Sequence, residues 1–295
     1  MKREQSSDFD PDLLHLFDKY VHGGISRREF LDGAARFAVG GMTAQRILER
    51  LSPNYGLARE ISEGDPRLED EYITYPAPLG HGSMRAYLAR PAQVTGRLPG
   101  VIVVHENRGL NPYIEDVSRR LAVANFLALA PDGLTPVGGY PGDEDRGREL
   151  QSSLDPAQLV EDFVAAAVYL MGHPECTGRV GVVGFCYGGG VANTLAVRLP
   201  NLGAAVPFYG RQPTAAQVAQ IKAPLLIQYA EDDQGVNSGW PAFEAALKAN
   251  DVLYTAYVYE GTMHGFHNNT TPRYNEAAAR LAWERTIAFF NQTLR

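Results

Sequence analysis

The sequence predicts an α/β protein: a mostly parallel sheet with helices on both faces, preceded by a short helical extension. Three observations carry that reading. Short apolar runs such as Val101-Ile102-Val103-Val104 alternate with segments whose apolar residues recur at helical spacing. Strands of that kind, separated by amphipathic helices, need a sheet covered on both sides. The first sixty residues, in turn, carry helix-capping signals and end in a helix-stopping proline, Pro53. The expected division is therefore a helical extension over 1–60 and one α/β domain over 61–295.

Asp10-Pro11 opens the extension, with Asp at the N-cap and Pro at the first helical position, followed by Leu13, Leu14, Phe17 and Val21 on one face. A second helix begins at Ser26, where Ser26 and Glu29 have capping-box spacing and Ile25 and Phe30 are placed as a hydrophobic staple. Its apolar face continues through Ala34, Phe37 and Ala38, and Pro53 ends the pattern. The extension thus reads as two short helices. The same letters, Ser26-Arg27-Arg28-Glu29-Phe30-Leu31, also resemble a twin-arginine export signal, but the run that follows is short and rich in Gly and Ala. The caps favour a structural helix and a cytoplasmic protein, with the periplasm as the alternative if the signal operates.

After the polar linker Ser62 to Asp70, strands are expected at Tyr72 to Tyr75, Arg85 to Leu88 and Val101 to Val104. A helix from Tyr113 to Ala124, a strand at Phe126 to Ala130 and a helix opened by Asp155-Pro156 come next. Further strands fall at Val180 to Val183, Ala204 to Phe208, Leu225 to Tyr229 and Tyr254 to Tyr259, with helices between them and a last helix to about Phe290. Ligands of such sheets bind beyond the carboxyl ends of the strands, so the residues just after each strand are where chemistry belongs.

Composition narrows the function classes. The chain has 295 residues, 45% hydrophobic and 21% charged, the profile of an ordinary globular protein. Its formal net charge of −7 argues against a nucleic-acid partner, because phosphate binding needs a positive surface. Two cysteines, Cys176 and Cys186, cannot form a disulfide framework. The nearest approach to a membrane span, Ala34 to Ala44, is short and interrupted by Arg36.

Behind the strand Val180 to Val183 stands Gly184-Phe185-Cys186-Tyr187-Gly188-Gly189-Gly190, then helix-forming residues. This is the G-x-nucleophile-x-G elbow with cysteine in the usual serine's place. Glycines let the chain turn sharply from strand to helix and lift Cys186 above the sheet. The helix start behind it favours thiolate and offers free N–H groups to a developing oxyanion. Cys176, in a loop without that context, reads as inert.

Such a nucleophile needs a base and a carboxylate to orient it, in the chain order nucleophile, acid, histidine. Of seven histidines, only His264 and His267 follow the acidic segment after the elbow. His264, in Gly261-Thr262-Met263-His264-Gly265-Phe266, comes sooner after a strand and is the first choice, with His267 second. The strand Leu225 to Tyr229 runs into Ala230-Glu231-Asp232-Asp233, and spacing leaves Asp232 and Asp233 both open. No HExxH or paired-cysteine spacing suggests a metal.

Taken together, Val101-Ile102-Val103-Val104-His105-Glu106, Gly184-Phe185-Cys186-Tyr187-Gly188-Gly189 and His264-Gly265-Phe266 resemble the dienelactone hydrolase family, the carboxymethylenebutenolidases, of the α/β-hydrolase fold, over roughly residues 70 to 295. The resemblance implies a Cys186-His264-Asp233 triad, the acid lying three positions before an aliphatic residue, Val236. It implies that Glu106 sits by the resting thiol and takes its proton when substrate displaces it. It also implies backbone N–H groups of Tyr187 and Asn107 as oxyanion donors. In one respect the chain departs from the family, whose prototype has a substrate-binding arginine four residues beyond the catalytic histidine; that position here is Asn268. Arg108, Arg146 and Arg211, in or near strand-end loops, are candidates to replace it, and Tyr140 and Tyr209 are candidate pocket walls.

The resulting expectation is a cysteine-dependent hydrolase of a lactone or small carboxylic ester, working without cofactor or metal on a small-molecule substrate through an acyl-cysteine. The competing readings are a binding or regulatory protein on a hydrolase scaffold and a redox thiol protein.

Overall fold

Alternating apolar strands do assemble, among the described residues, into a single sheet of eight. The computed structural model describes residues 4–57 and 59–295; positions 1–3 and 58 of the expected extension lie outside the described residues. The strands are β1 (Leu68–Ala77), β2 (Gly82–Pro91), β3 (Leu98–Val104), β4 (Leu127–Pro131), β5 (Cys176–Phe185), β6 (Ala204–Phe208), β7 (Leu225–Asp232) and β8 (Tyr254–Met263). β1 with β2 and β2 with β4 pair antiparallel, and from β4 through β3 to β8 every pairing is parallel. Several strands outrun the apolar runs that predict them. β5, for example, starts at Cys176, because Leu98 of β3 still finds a partner there and pairing does not require both faces to be apolar.

Helices α4 (Pro112–Val123) and α11 (Glu276–Leu294) cover one face, burying Val117, Leu121, Ala282 and Phe290 against Val101, Val103 and Val183. The opposite face carries α6 (Pro156–Met171), α7 (Tyr187–Arg198), α8 (Ala215–Val218) and α10 (Trp240–Ala249), with Phe163, Leu195, Val218 and Phe243 packed on Ile102, Val182 and Ile227. Two short helices, α5 (Glu144–Ser152) and α9 (Gln234–Asn237), belong to loops at the carboxyl ends of strands. Many starts are capped as the residues dictate: Asp155 accepts from Ala157 N–H with Pro156 at the first position.

Among the described residues the extension holds three α-helices, not two: α1 (Pro11–Val21), α2 (Arg27–Ala34) and α3 (Ala44–Leu51). The capping box at Ser26 is formed as expected. The break comes at Gly40 and Gly41, both at positive φ, after which the Thr43 side chain accepts from Arg46 N–H and starts a helix of its own. Leu13, Leu14, Phe17, Phe30, Ile47, Leu48 and Leu51 form a small separate core, with Met263 at the end of β8 packed against it. The extension therefore lies over the carboxyl ends of the strands, where the chemistry is expected. No described helix is long and apolar enough to cross a membrane.

Candidate active site

Cys186 joins β5 to α7 with φ 56° and ψ −112°, a backbone conformation that an L-residue rarely adopts and that points its side chain away from the sheet. The turn is tight enough to exclude side chains around it. A Cβ on Gly184 would lie 2.0 Å from the Gly188 carbonyl oxygen, and one on Gly188 would lie 2.3 Å from that of Val104. The sulfur is half-buried, whereas Cys176 is buried in the core below.

The histidine and acid come from the ends of the two adjacent strands. His264, one residue beyond β8, sets Nδ1 2.7 Å from Asp233 Oδ2, one residue beyond β7, and both side chains are buried. Asp233 also caps α9 by accepting from Val236 N–H. Asp232 points elsewhere, into an exposed pair with His15 of α1 at 2.7 Å. His267 is not in reach of the chemistry. It is buried, stacked on Phe185 at 5.1 Å, and its Nδ1 meets the Tyr113 hydroxyl at 2.7 Å. Burial holds this imidazole far below its ordinary pKa, so it stays neutral.

One residue at the centre had no signal in the sequence reading. His22, the C-cap of α1, places Nε2 3.4 Å from Cys186 Sγ and 3.1 Å from His264 Nε2. Its Nδ1 donates to the Asp18 carbonyl at 2.8 Å and lies 3.3 Å from the Asp18 carboxylate, which Arg273 holds in turn at 2.9 Å. Cys186 is therefore flanked by two histidines, each backed by an aspartate. Burial alone would push the Cys186 thiol up, but the facing positive charges of His264 and His22 hold it well below its usual pKa. Burial would conversely lower both imidazoles. The negative sulfur and the aspartates outweigh it, raising His264 well above its ordinary value and His22 to about 9. The two Nε2 atoms stand 3.1 Å apart, so a proton on either one points at the other.

The remaining expected residues divide. Glu106 follows β3 and is buried, accepting from Asn268 Nδ2 at 3.0 Å, while the sulfur's hydrogen bonds run to His22 and His264. Burial lifts the Glu106 carboxyl above its ordinary pKa, a neighbouring Arg108 charge opposing. Tyr187 opens α7, so its N–H is among those a helix leaves without an internal partner. Asn107 lies in the turn after β3 with its side chain donating to the Val21 carbonyl at 2.9 Å.

Arg108 is buried in an ion pair with Glu144 at 2.7 Å, and the Tyr140 hydroxyl donates to the same carboxylate at 2.6 Å. These groups line a cavity of about 360 Å³ shared with Phe17, Tyr20 and Val21 of α1. Arg146 is not part of it: its guanidinium pairs with Glu149 on an exposed helix face. Arg211 is exposed, and Tyr209 is a buried support, its ring 4.8 Å from that of His264. Arg273, nine residues beyond His264 in the sequence, is buried and engaged by Asp18.

Comparison with known proteins places the chain among hydrolases. Residues 84–294 match the model of the dienelactone hydrolase family, and residues 1–38 match a separate model, YqhI-like. A protein of Escherichia coli (strain K12), "Putative hydrolase fragment YghX", is 60% identical over 115 residues, 39% of this chain and 98% of that one. One from Bradyrhizobium sp, "Probable 2-oxo-3-(5-oxofuran-2-ylidene)propanoate lactonase", is 35% identical over 223 residues, 70% of this chain and 88% of its own. Among solved structures, "Putative Dienelactone Hydrolase" from Klebsiella pneumoniae superposes with a TM-score of 0.67 at 29% identity, covering 76% of this chain and 99% of that chain.

Proposed function

The chain belongs to the dienelactone hydrolase family and is a carboxylic ester hydrolase; from that premise we propose that Cys186 is its nucleophile, His264 its acid–base and Asp233 the group that orients the imidazole, acting on a lactone or small ester. The observation that carries this reading is the buried 2.7 Å contact between His264 and Asp233 beside a cysteine raised on a positive-φ elbow.

The Cys186 thiolate attacks the carbonyl carbon, forming the C–S bond, and the negative charge on the carbonyl oxygen rests on the N–H groups of Tyr187 and Asn107. Collapse breaks the C–O bond, and the leaving oxygen takes a proton from His264. In a lactone that oxygen stays tethered to the acyl group. Water then attacks the acyl-cysteine, gives its proton to His264 and expels the thiolate. Asp233 fixes the Nδ1–H tautomer, which keeps Nε2 free for this traffic.

Glu106, buried just beyond β3, keeps in this proposal the role the family resemblance implies, proton acceptor for the thiol. The sulfur faces His22, and burial together with the nearby sulfur's charge raises the Glu106 carboxyl above its ordinary pKa. Residues 61–295 form the catalytic unit and 1–60 an extension that supplies His22 to its rim.

Replacement Cys186→Ala should lower turnover by about 10⁴-fold or more on any substrate found, the scale of deleting a triad nucleophile. Mass spectrometry after rapid quench from a mixed lactone and ester library should show one acyl adduct on Cys186. A variant that keeps its turnover would end the proposal.

A further inference from the structure

Two histidines and a cysteine converging on one point is more than a nucleophile with its base requires. His22 Nε2, Cys186 Sγ and His264 Nε2 form a triangle with edges of 3.1 Å between the nitrogens and 3.4 Å from His22 to the sulfur, the third edge being within 4.8 Å. In a tetrahedral site with metal–nitrogen bonds of about 2.0–2.1 Å and a metal–sulfur bond of about 2.3 Å, ligand atoms stand about 3.4 Å apart for N and N and about 3.6 Å for N and S. Two edges lie within about 0.3 Å of those lengths, and the third is bounded at 4.8 Å.

The outer contacts point the same way. His22 Nδ1 lies against the Asp18 carbonyl and carboxylate, and His264 Nδ1 against the Asp233 carboxylate. Both Nδ1 atoms therefore carry the hydrogen, and both Nε2 lone pairs are turned toward each other and toward the sulfur. Facing lone pairs repel unless something positive lies between them. Carboxylate-backed histidines with Nε2 directed at one point are also the arrangement that surrounds protein-bound zinc.

We propose that His22, Cys186 and His264 form a binding site for a borderline-soft divalent cation of the zinc and cobalt class, built jointly by the N-terminal extension and the hydrolase domain. The donor set of two imidazoles and one thiolate suits such ions and not magnesium or calcium, which need oxygen ligands. On loading, the cation takes the Nε2 lone pairs and the sulfur. A proton on either Nε2, and the thiol proton where present, pass to solvent. Three protein ligands leave a fourth position open. If Cys186 and His264 act as proposed above, the loaded form is inactive because nucleophile and base are both coordinated; that consequence rests on the hydrolytic reading, whereas the site itself does not.

The test is titration of the metal-free full chain with Co²⁺, followed by absorption. Tetrahedral visible bands and a near-ultraviolet sulfur-to-cobalt charge-transfer band should appear together and saturate near one equivalent. Cys186→Ser should remove the charge-transfer band. His22→Ala, and the milder His22→Gln should the first variant fold poorly, should weaken binding by about 100-fold or more, and Asp18→Asn by about 10- to 100-fold, as for lost support of a ligating histidine. No charge-transfer band at millimolar Co²⁺, or one unchanged in both His22 variants, would overturn the site. A chain that shows the bands but hydrolyses no ester or lactone when metal-free refutes the hydrolytic reading alone. One that hydrolyses yet shows no band refutes the metal site alone.

Discussion

At the scale of single residues, the site divides into what is local in sequence and what is not. Cys186 was legible because strand, glycine, nucleophile, glycine and helix are contiguous, and His264 because fold order restricts where a base can lie. The choice between Asp232 and Asp233 was not readable from spacing. It depends on a twist at the end of β7 that sends one carboxylate to His264 and its neighbour out to His15. His22 carried no signal at all: a histidine after a helix is ordinary, and the sulfur it meets is 164 residues away. Asp233→Asn tests the local half. With the imidazole free to take the wrong tautomer, kcat should fall by about 10³- to 10⁴-fold while the fold persists, as steady-state kinetics beside a thermal melt would show.

At the scale of elements, strands and capped helices followed their patterns, with most errors at the ends. The break in the extension falls where Phe37 and Ala38 read as a continuing face: α2 ends at Ala34, one 3₁₀ turn follows to Phe37, and Gly40 and Gly41 in left-handed conformations then separate it from α3. The elbow makes the opposite point, since there small size decides more than backbone freedom. Gly184 has no room for a methyl group beside the Gly188 carbonyl. Gly184→Ala should cost at least about 3 kcal/mol, the upper part of the range for overpacking a tight site. Urea unfolding would measure it, and a loss below 1 kcal/mol would mean the elbow can shift.

At the scale of the whole molecule, two histidines remain neutral inside the folded chain. His105 donates from Nδ1 to the Glu106 carbonyl and accepts at Nε2 from Gly133 N–H, leaving no place for a second proton. His267 is buried among Phe185, Phe208 and Trp283. Burial depresses both, so the unfolded chain binds more protons than the folded one once pH drops below about 6.5, and each then costs stability toward acid. Relative to wild type, His267→Gln should recover about 1 kcal/mol between pH 6.5 and 5.5, the slope approaching about 1.4 kcal/mol per unit only at lower pH. Denaturant midpoints at the two pH values give that difference directly; parallel curves would show that His267 is protonated in place.

The end of α1 touches the hydrolase domain at four named points: His15 on Asp232, Asp18 on Arg273, Val21 on Asn107 and His22 on Cys186. This seam ties the extension to a thiol far from it in sequence, and it gives the sulfur a second use as a reporter. On slow warming, alkylation of Cys186 should change pace when the seam parts, at a temperature below that at which the eight strands come apart. The interval between those two temperatures measures how firmly the chain's beginning is fastened to its middle.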